Sequence, residues 1–156
     1  MESLALTLSD FTQTKRFATC LSQFIKPGRV FCLTGPLGAG KSELARAMIS
    51  EFCGPQDDIP SPTFTLVQPY PSAAGFEIWH LDLYRLETAE QALALGIEDA
   101  FYACCCLIEW PDKLQDLLPV DQIRVDLAMG SDIESRVVAL AAEPEILDQF
   151  KQSYFS

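Results

Sequence analysis

Residues 35–42 read Gly-Pro-Leu-Gly-Ala-Gly-Lys-Ser, which is a complete G-x-x-x-x-G-K-[ST] phosphate-binding loop. An apolar run at 30–33 precedes this loop, and a helix-patterned stretch at 43–53 follows it. Glycines let successive backbone N–H groups point at one anion, and the N-terminus of the next helix adds positive partial charge. Lys41 is expected to contact the β- and γ-phosphates, and the Ser42 hydroxyl to ligate Mg²⁺. The segment therefore predicts binding of a nucleoside triphosphate; the weaker alternative is a glycine-rich surface turn that carries a lysine.

The length of 156 residues predicts that residues 1–156 form a single domain. The 49% hydrophobic content is sufficient for a core. No apolar stretch approaches the roughly 18 residues that a membrane span needs, and the acidic start at 1–3 lacks the order of a secretory signal. The six cysteines, among them the run at 104–106, follow no metal-ligand spacing, so reduced thiols and a cytoplasmic location without membrane association are expected.

The net charge is −11, with only 11 lysines and arginines. A surface this acidic repels nucleic acid, and no basic patch is present in the sequence. If the pathway involves RNA, we expect another subunit to hold it.

Apolar periodicity predicts alternating helices and strands around a three-layer α/β fold with a mixed parallel and antiparallel sheet. The segment at 69–75 is expected to be the loop of a hairpin, and the last two strands are expected to be antiparallel edge strands. Helices are predicted at 11–25, 43–53, 88–96 and about 143–150, and strands at 29–34, 63–67, 76–83, 103–108, 120–127 and 135–142.

A phosphate-binding loop needs a carboxylate at the end of a neighbouring strand to hold Mg²⁺ and to orient the attacking group. Glu109 ends a uniformly apolar run that is typical of a central strand, so it is the favoured acid near the metal. Asp82 ends a run that His80 interrupts, and it is expected to act as a water-mediated ligand or as a base. The alternative for each acid is that it caps a turn. The sequence does not decide which of the two activates water.

Four further features have both a structural and a functional interpretation. The turn Ser61-Pro62-Thr63 suits a loop that closes on the γ-phosphate, or an ordinary entry into a strand. Trp110 is predicted at the mouth of the site or over the edge of the core. His80 is expected to be structural, with pairing to a carboxylate as the alternative. Arg85 is expected to offset phosphate charge or to form a salt bridge.

These stretches together resemble the bacterial TsaE family, also called YjeE, of small ATPases required for threonylcarbamoyladenosine modification of tRNA. The resemblance covers about residues 8–140, and the blocks that follow the phosphate loop are specific. The matching segments are Gly35-Pro36-Leu37-Gly38-Ala39-Gly40-Lys41-Ser42, Ser61-Pro62-Thr63-Phe64-Thr65-Leu66-Val67, His80-Leu81-Asp82-Leu83-Tyr84-Arg85-Leu86, Leu95-Gly96-Ile97 and Ile108-Glu109-Trp110-Pro111.

The resemblance implies a P-loop NTPase-like fold that binds ATP, with Mg²⁺ held by Ser42 and Glu109 and with Asp82 in the Walker B role. It implies that Lys41, Asp82 and Glu109 are the catalytic residues. The nucleotide-binding residues that it implies are Thr14, Gly35, Pro36, Leu37, Gly38, Ala39, Gly40, Lys41, Ser42, Thr63, Trp110 and Arg136. Ser42 replaces the threonine and Pro36 the acidic residue that are commoner in the family, and neither change removes a ligand.

The activity implied is that of an accessory ATPase, slow on its own, in formation of the threonylcarbamoyl group on adenosine 37 of tRNAs that read codons beginning with adenine. The implied partners are TsaD and TsaB, which would handle the tRNA, so this chain would meet tRNA only indirectly. Two other functions stay open from the residues. One is a nucleotide-sensing module that does not hydrolyse ATP. The other is a small-molecule kinase, which is disfavoured because Arg85 and Lys113 are the only arginine and lysine between residues 47 and 123.

Overall fold

The computed structural model describes residues 1–56 and 66–156. Within them, seven strands form one sheet and five α-helices pack on it. In chain order the elements are β1 (Glu2–Leu8), α1 (Phe11–Ser22), β2 (Val30–Thr34), α2 (Lys41–Cys53), β3 (Val67–Pro71), β4 (Glu77–Asp82), α3 (Ala89–Ala94), α4 (Ile97–Ala103), β5 (Cys105–Glu109), β6 (Ile123–Met129), β7 (Arg136–Ala142) and α5 (Pro144–Tyr154).

The strand order is β1-β7-β6-β2-β5-β4-β3. Strand β2 runs parallel to both β5 and β6, and β4 runs parallel to β5. The pairs β1–β7, β6–β7 and β3–β4 are antiparallel. The mixed sheet predicted from the sequence is therefore confirmed.

Two hydrophobic clusters lie on opposite faces of the sheet, because successive residues of a strand point to opposite sides. Phe31 of β2 packs in the larger cluster, with Phe17 of α1, Met48 of α2 and Phe150 of α5. Its neighbour Cys32 packs in the second cluster, which also contains residues of α3 and α4. Helices thus cover both faces of the central strands, and the three-layer prediction is confirmed.

The C-terminal strands differ from the prediction in their position. Strands β6 and β7 were expected at an edge, but β6 lies between β2 and β7, and β7 lies between β6 and β1. The edge is formed by β1, which the prediction did not include. Its register pairs Leu6 with Val138, so the alternation of leucines with small or polar residues at 3–8 is the signal that indicates this strand.

The hairpin of β3 and β4 is confirmed, but its loop is shorter than predicted. The segment at 69–71 was predicted as loop and instead continues β3. Proline cannot donate to a strand ladder. Strand β3 tolerates Pro69 because, among the described strands, it lies at the edge and pairs with β4 alone. Most of the strand predicted at 63–67 lies outside the described residues.

Helix α4 was not predicted, whereas the capping box at Thr88 and the helix stop near Gly96 are confirmed around α3. The six cysteines are all free thiols, and the described residues contain no cluster of His, Cys, Asp or Glu that could hold a metal ion. None of the helices in the described ranges has the length and apolar character to cross a membrane.

Candidate nucleotide-binding site

The phosphate loop connects the end of β2 to the start of α2 at the carboxyl edge of the parallel strands. Gly35, Gly38 and Gly40 have φ values of +135°, +81° and +104°, which side-chain-bearing residues rarely adopt. At Gly35 a Cβ atom would also lie 2.2 Å from the carbonyl oxygen of Leu127. Glycine at this position is therefore required by backbone conformation and by the contact with β6.

Helix α2 begins at Lys41, and its first turn contributes backbone N–H groups that have no partner within the helix. These groups and the helix dipole favour an anion next to the loop. Leu37 at the tip of the loop is 73% exposed, whereas Ala39 is fully buried. The loop is therefore anchored at one side and open to solvent at the other.

Lys41 is only 5% exposed, and its ammonium group lies inside the loop. Its Nζ donates hydrogen bonds to the carbonyl oxygens of Gly35 and Pro36, at 2.6 and 2.9 Å. The Trp110 ring covers the same atom, with 4.3 Å between Nζ and the ring centroid, a cation–π contact. Burial lowers the pKa of Lys41, and the negative charges of nearby acids, chiefly Glu109, oppose that shift. A phosphate oxygen in the loop can replace the two carbonyl oxygens as the acceptor of the hydrogen bonds from the ammonium group.

Ser42 and Glu109 meet beneath the loop. The Ser42 hydroxyl lies 3.0 Å from Oε1 and 2.8 Å from Oε2 of Glu109. Glu109 ends β5 and is only 3% exposed, and the register places it opposite Leu33 of β2 and Asp82 of β4. A hydroxyl and a carboxylate are oxygen ligands of the type that Mg²⁺ prefers, so the donor set fits that ion.

Asp82 ends β4 and is 6% exposed. Its Oδ1 accepts a hydrogen bond from the Tyr84 backbone N–H at 3.0 Å, which holds the carboxylate at the turn after the strand. It also lines a cavity of about 310 Å³ over the phosphate loop. The described residues that line this cavity are Leu37, Gly38, Gly40, Lys41, Ser42, Glu43, Arg46, Asp82, Tyr84, Glu109 and Trp110.

His80 contacts the carboxylate of Glu109. Its Nε2 lies 2.7 Å from Oε2 of Glu109, and its side chain is fully buried. The structural interpretation preferred from the sequence is therefore incomplete. The alternative, pairing with a carboxylate, is what the structure contains.

Trp110 follows Glu109 in a left-handed backbone conformation, with φ +58° and ψ +55°. A non-glycine residue adopts this conformation at a cost of about 1 kcal/mol or more, and such residues concentrate at functional sites. The Trp110 ring contacts the Tyr84 ring, with 5.0 Å between centroids. The two rings form an aromatic wall beside Lys41, and Trp110 also packs against the second hydrophobic cluster. It therefore lies both at the mouth of the site and over the edge of the core.

Thr14 and Arg136, which the resemblance implied for the nucleotide, lie together on the other side of the loop. With Ala39, Gly40 and Leu127 they line a small cavity of about 100 Å³. Arg136 donates to the carbonyl oxygens of Ile133 and Ser135, at 2.9 and 2.8 Å, which fixes its guanidinium beside Gly40. Thr63 lies outside the described residues.

Arg46 and Tyr84 line the cavity of about 310 Å³ over the phosphate loop, and neither was predicted as a site residue. Arg46 lies one helical turn after Ser42, and this i, i+4 spacing is the signal that could have indicated it. Its guanidinium is 3.9 Å from the Glu43 carboxylate, too far for a hydrogen bond. The cavity therefore contains a second cation with only a loose local partner.

A phosphate loop between β2 and α2, with carboxylates at the ends of the adjacent parallel strands, defines a P-loop NTPase-like α/β protein. The crystal structure of Bacillus subtilis YdiB has this fold; it aligns with a TM-score of 0.76 at 23% identity, covering 99% of this chain and 95% of that chain. The family described as "Threonylcarbamoyl adenosine biosynthesis protein TsaE" matches residues 8–138. This chain belongs to the TsaE family.

Relatives in several bacteria carry the name "tRNA threonylcarbamoyladenosine biosynthesis protein TsaE". The Rickettsia felis protein is 36% identical over 150 residues, which cover 95% of this chain and 87% of the relative. The Haemophilus influenzae protein is 36% identical over 152 residues, covering 94% of each chain. The Bacillus subtilis protein is 31% identical over 130 residues, covering 83% of this chain and 80% of the relative.

Proposed function

We propose that this chain is a Mg²⁺-dependent ATPase subunit for formation of the threonylcarbamoyl group on adenosine 37 of tRNAs that read codons beginning with adenine. The contact between Ser42 and Glu109 beneath the phosphate loop carries the proposal. A glycine-rich turn without a nucleotide function has no need for a buried carboxylate at the serine hydroxyl, whereas a metal-assisted phosphate site does.

The residues of the loop divide the work of binding the triphosphate. The backbone N–H groups of residues 37–42 cradle the phosphate oxygens. Lys41 exchanges its contacts with Gly35 and Pro36 for phosphate oxygens and neutralises their charge. Thr14, Thr63, Trp110 and Arg136 are proposed to surround the rest of the nucleotide.

Ser42 and Glu109 are proposed to hold Mg²⁺, which offsets the charge of the β- and γ-phosphates when it is bound. The Ser42 hydroxyl donates a hydrogen bond to Glu109, and its oxygen lone pairs stay available to a cation. Asp82 and Glu109 both present carboxylates to the same cavity, so either can orient a water for attack. Turnover of the subunit alone is expected to be slow.

The partners proposed are TsaD and TsaB, with ATP and ADP as small-molecule ligands and the cytoplasm as location. The net charge of −11 favours a division of labour in which those partners bind tRNA. The prediction that residues 1–156 form a single domain belongs to the same proposal.

The experiment is multi-turnover tRNA modification with purified TsaD and TsaB, comparing the wild-type chain with Lys41→Ala. We expect the variant to lose most of the activity while keeping the wild-type circular dichroism and unfolding midpoint. A matched control is Lys113→Ala, which removes the same charge at a half-buried position that does not line the cavity. Undiminished modification by Lys41→Ala would refute the proposal.

Two further measurements separate the other functions. ATP binding without phosphate release, even with both partners present, would favour a nucleotide-sensing module. A phosphorylated product from a metabolite screen would favour a small-molecule kinase.

A further inference from the structure

We propose that His80 is a positioning residue for the metal–nucleotide site, which acts by fixing the Glu109 carboxylate through a hydrogen bond. The inference rests on the proposed function, because it assigns to Glu109 its role beside Ser42. It adds a residue of the β4 strand interior to a site otherwise built from strand ends, the phosphate loop and the start of α2.

The first support is the burial of His80 and the direction of its polar contact. The imidazole is 0% exposed, and Nε2 is 2.7 Å from Oε2 of Glu109. Nδ1 is buried and has no hydrogen-bond partner in the part of the chain that the structure describes. A buried polar atom without a partner lowers stability, so an apolar residue would suit the core better here. The imidazole is thus a poor choice for packing and a good one for holding the carboxylate.

The second support is the way the contacts divide between the two carboxylate oxygens. Oε2 of Glu109 receives both His80 and the Ser42 hydroxyl, whereas Oε1 is contacted by Ser42 at 3.0 Å. Two contacts on Oε2 fix the rotation of the carboxylate plane. Oε1, which receives only the Ser42 contact, then keeps acceptor capacity for a further partner. Partners in this outer position are known to tune metal affinity by orienting the groups that touch the ion.

The third support is the register of the strands. Asp82 lies opposite Glu109, and His80 lies two residues earlier on the same face of β4. A side chain at this position can approach Glu109 from below while the cavity above stays open. The carboxylate is therefore supported from the core side by His80 and from the helix side by Ser42.

The experiment compares His80→Leu, which removes the donor at similar volume, with His80→Gln, whose amide nitrogen can replace Nε2. Ile78→Val is the control for loss of packing, because it truncates a fully buried residue of the same strand. Calorimetry measures nucleotide affinity with Mg²⁺ and with EDTA. We expect the gain in affinity that Mg²⁺ produces to be about tenfold smaller in His80→Leu than in the wild type. Affinity in EDTA should stay unchanged, and His80→Gln should recover most of the gain.

Equal Mg²⁺ dependence in wild type and His80→Leu would overturn the inference. Equal losses with and without Mg²⁺, as expected of a packing defect, would also overturn it. If the wild-type chain shows no Mg²⁺-dependent binding, the proposed function fails first, and that result is distinguishable from a failure of His80 alone.

A second measurement needs no His80 variant and no nucleotide. His80 is the only histidine in the chain, so its imidazole gives a single pair of ¹⁵N signals. We expect Glu109→Gln to move the Nε2 chemical shift more than that of Nδ1, and Ile78→Val to leave both in place. An Nε2 shift that does not respond to Glu109→Gln would overturn the contact on which the inference depends.

Discussion

The hydroxyl of Ser42 lies 2.8 Å from Oε2 of Glu109, which connects the first turn of α2 to the carboxyl end of β5. The two residues are far apart in sequence and meet because β2 and β5 are parallel neighbours. A hydroxyl oriented by a buried carboxylate is preorganised to bind a cation through oxygen. In the proposed function, this relationship supplies the Mg²⁺ ligands beside the phosphate loop before nucleotide is present.

Ser42→Ala removes that hydroxyl and is expected to reduce Mg²⁺-dependent nucleotide affinity about tenfold or more. Ser42→Thr keeps the hydroxyl and should bind as the wild type does. Calorimetric titration with and without Mg²⁺ measures the effect. Equal Mg²⁺ dependence in the alanine and threonine variants would contradict the role of the hydroxyl.

Glu109→Gln and Asp82→Asn separate the two acids. Glu109 contacts Ser42 directly, so the glutamine variant should lower both the Mg²⁺ dependence of binding and the rate of phosphate release. Asp82 accepts a hydrogen bond from the Tyr84 backbone and lines the cavity, so the asparagine variant should lower the rate more than the affinity. Rates and affinities measured on the same preparations check this split, and a larger loss of Mg²⁺ dependence in Asp82→Asn would reverse the assignment.

Gly35→Ala is expected to destabilise the fold by about 3 kcal/mol or more, because a new Cβ combines backbone strain with overpacking. That atom would lie 2.2 Å from the Leu127 carbonyl oxygen, at φ +135°. Gly75→Ala is the matched control, since its φ is +91° but no described atom lies within 4 Å of the new Cβ. Its expected cost is about 1–2 kcal/mol. Urea unfolding compares them, and equal losses would contradict the close approach to β6.

Stability is expected to fall as the pH rises above 9. Burial raises the pKa of Cys32 and of Cys105 from 9.0 to about 12 and also raises the pKa of Cys106. The unfolded chain releases these protons from pH 9 onward while the folded chain keeps them, so their contribution is full below pH 9 and lost toward pH 12. Each thiol contributes a slope of about 1.4 kcal/mol per pH unit in this range.

The lowered pKa of Lys41 acts in the opposite direction below pH 10.5, but it is one group against five thiols, since burial also raises the pKa of Cys53 and of Cys104. Urea unfolding at pH 8, 9.5 and 10.5 measures the slope. Cys105→Ala should reduce the slope by at most about a third, because the other thiols with a raised pKa keep their contribution. A slope that is flat, or that the variant leaves unchanged, would contradict the burial of these thiols in the folded state.

The positions of the phosphate loop and of both acids in the fold could be predicted from the sequence, because each depends on a local pattern. The loop lies between an apolar run and a helix pattern, and Glu109 and Asp82 each end a predicted strand. Their meeting at one edge follows from parallel pairing, which the uniform apolarity of 104–108 indicated. The confirmed elements are those whose sequence patterns are local, within one helix or strand and the residues that flank it.

Features that depend on distant contacts could not be predicted. The partner of His80 lies on another strand, and no pattern within 76–83 specifies it. The interior position of β7 depends on its pairing with β1 at the opposite end of the chain. The proline-containing segment of β3 was predicted as loop. A strand tolerates proline at the edge of a sheet, and the edge position of β3 is set by the sheet topology rather than by the local sequence.

The most direct test of the central claim is titration of ATP into the folded chain by calorimetry in the presence of Mg²⁺. The account predicts saturable binding at one site in the wild type, a weaker interaction in EDTA, and loss of binding in Lys41→Ala. Absence of any binding heat from folded wild-type protein, at several temperatures and up to millimolar ATP, would contradict the claim that residues 35–42 hold a triphosphate.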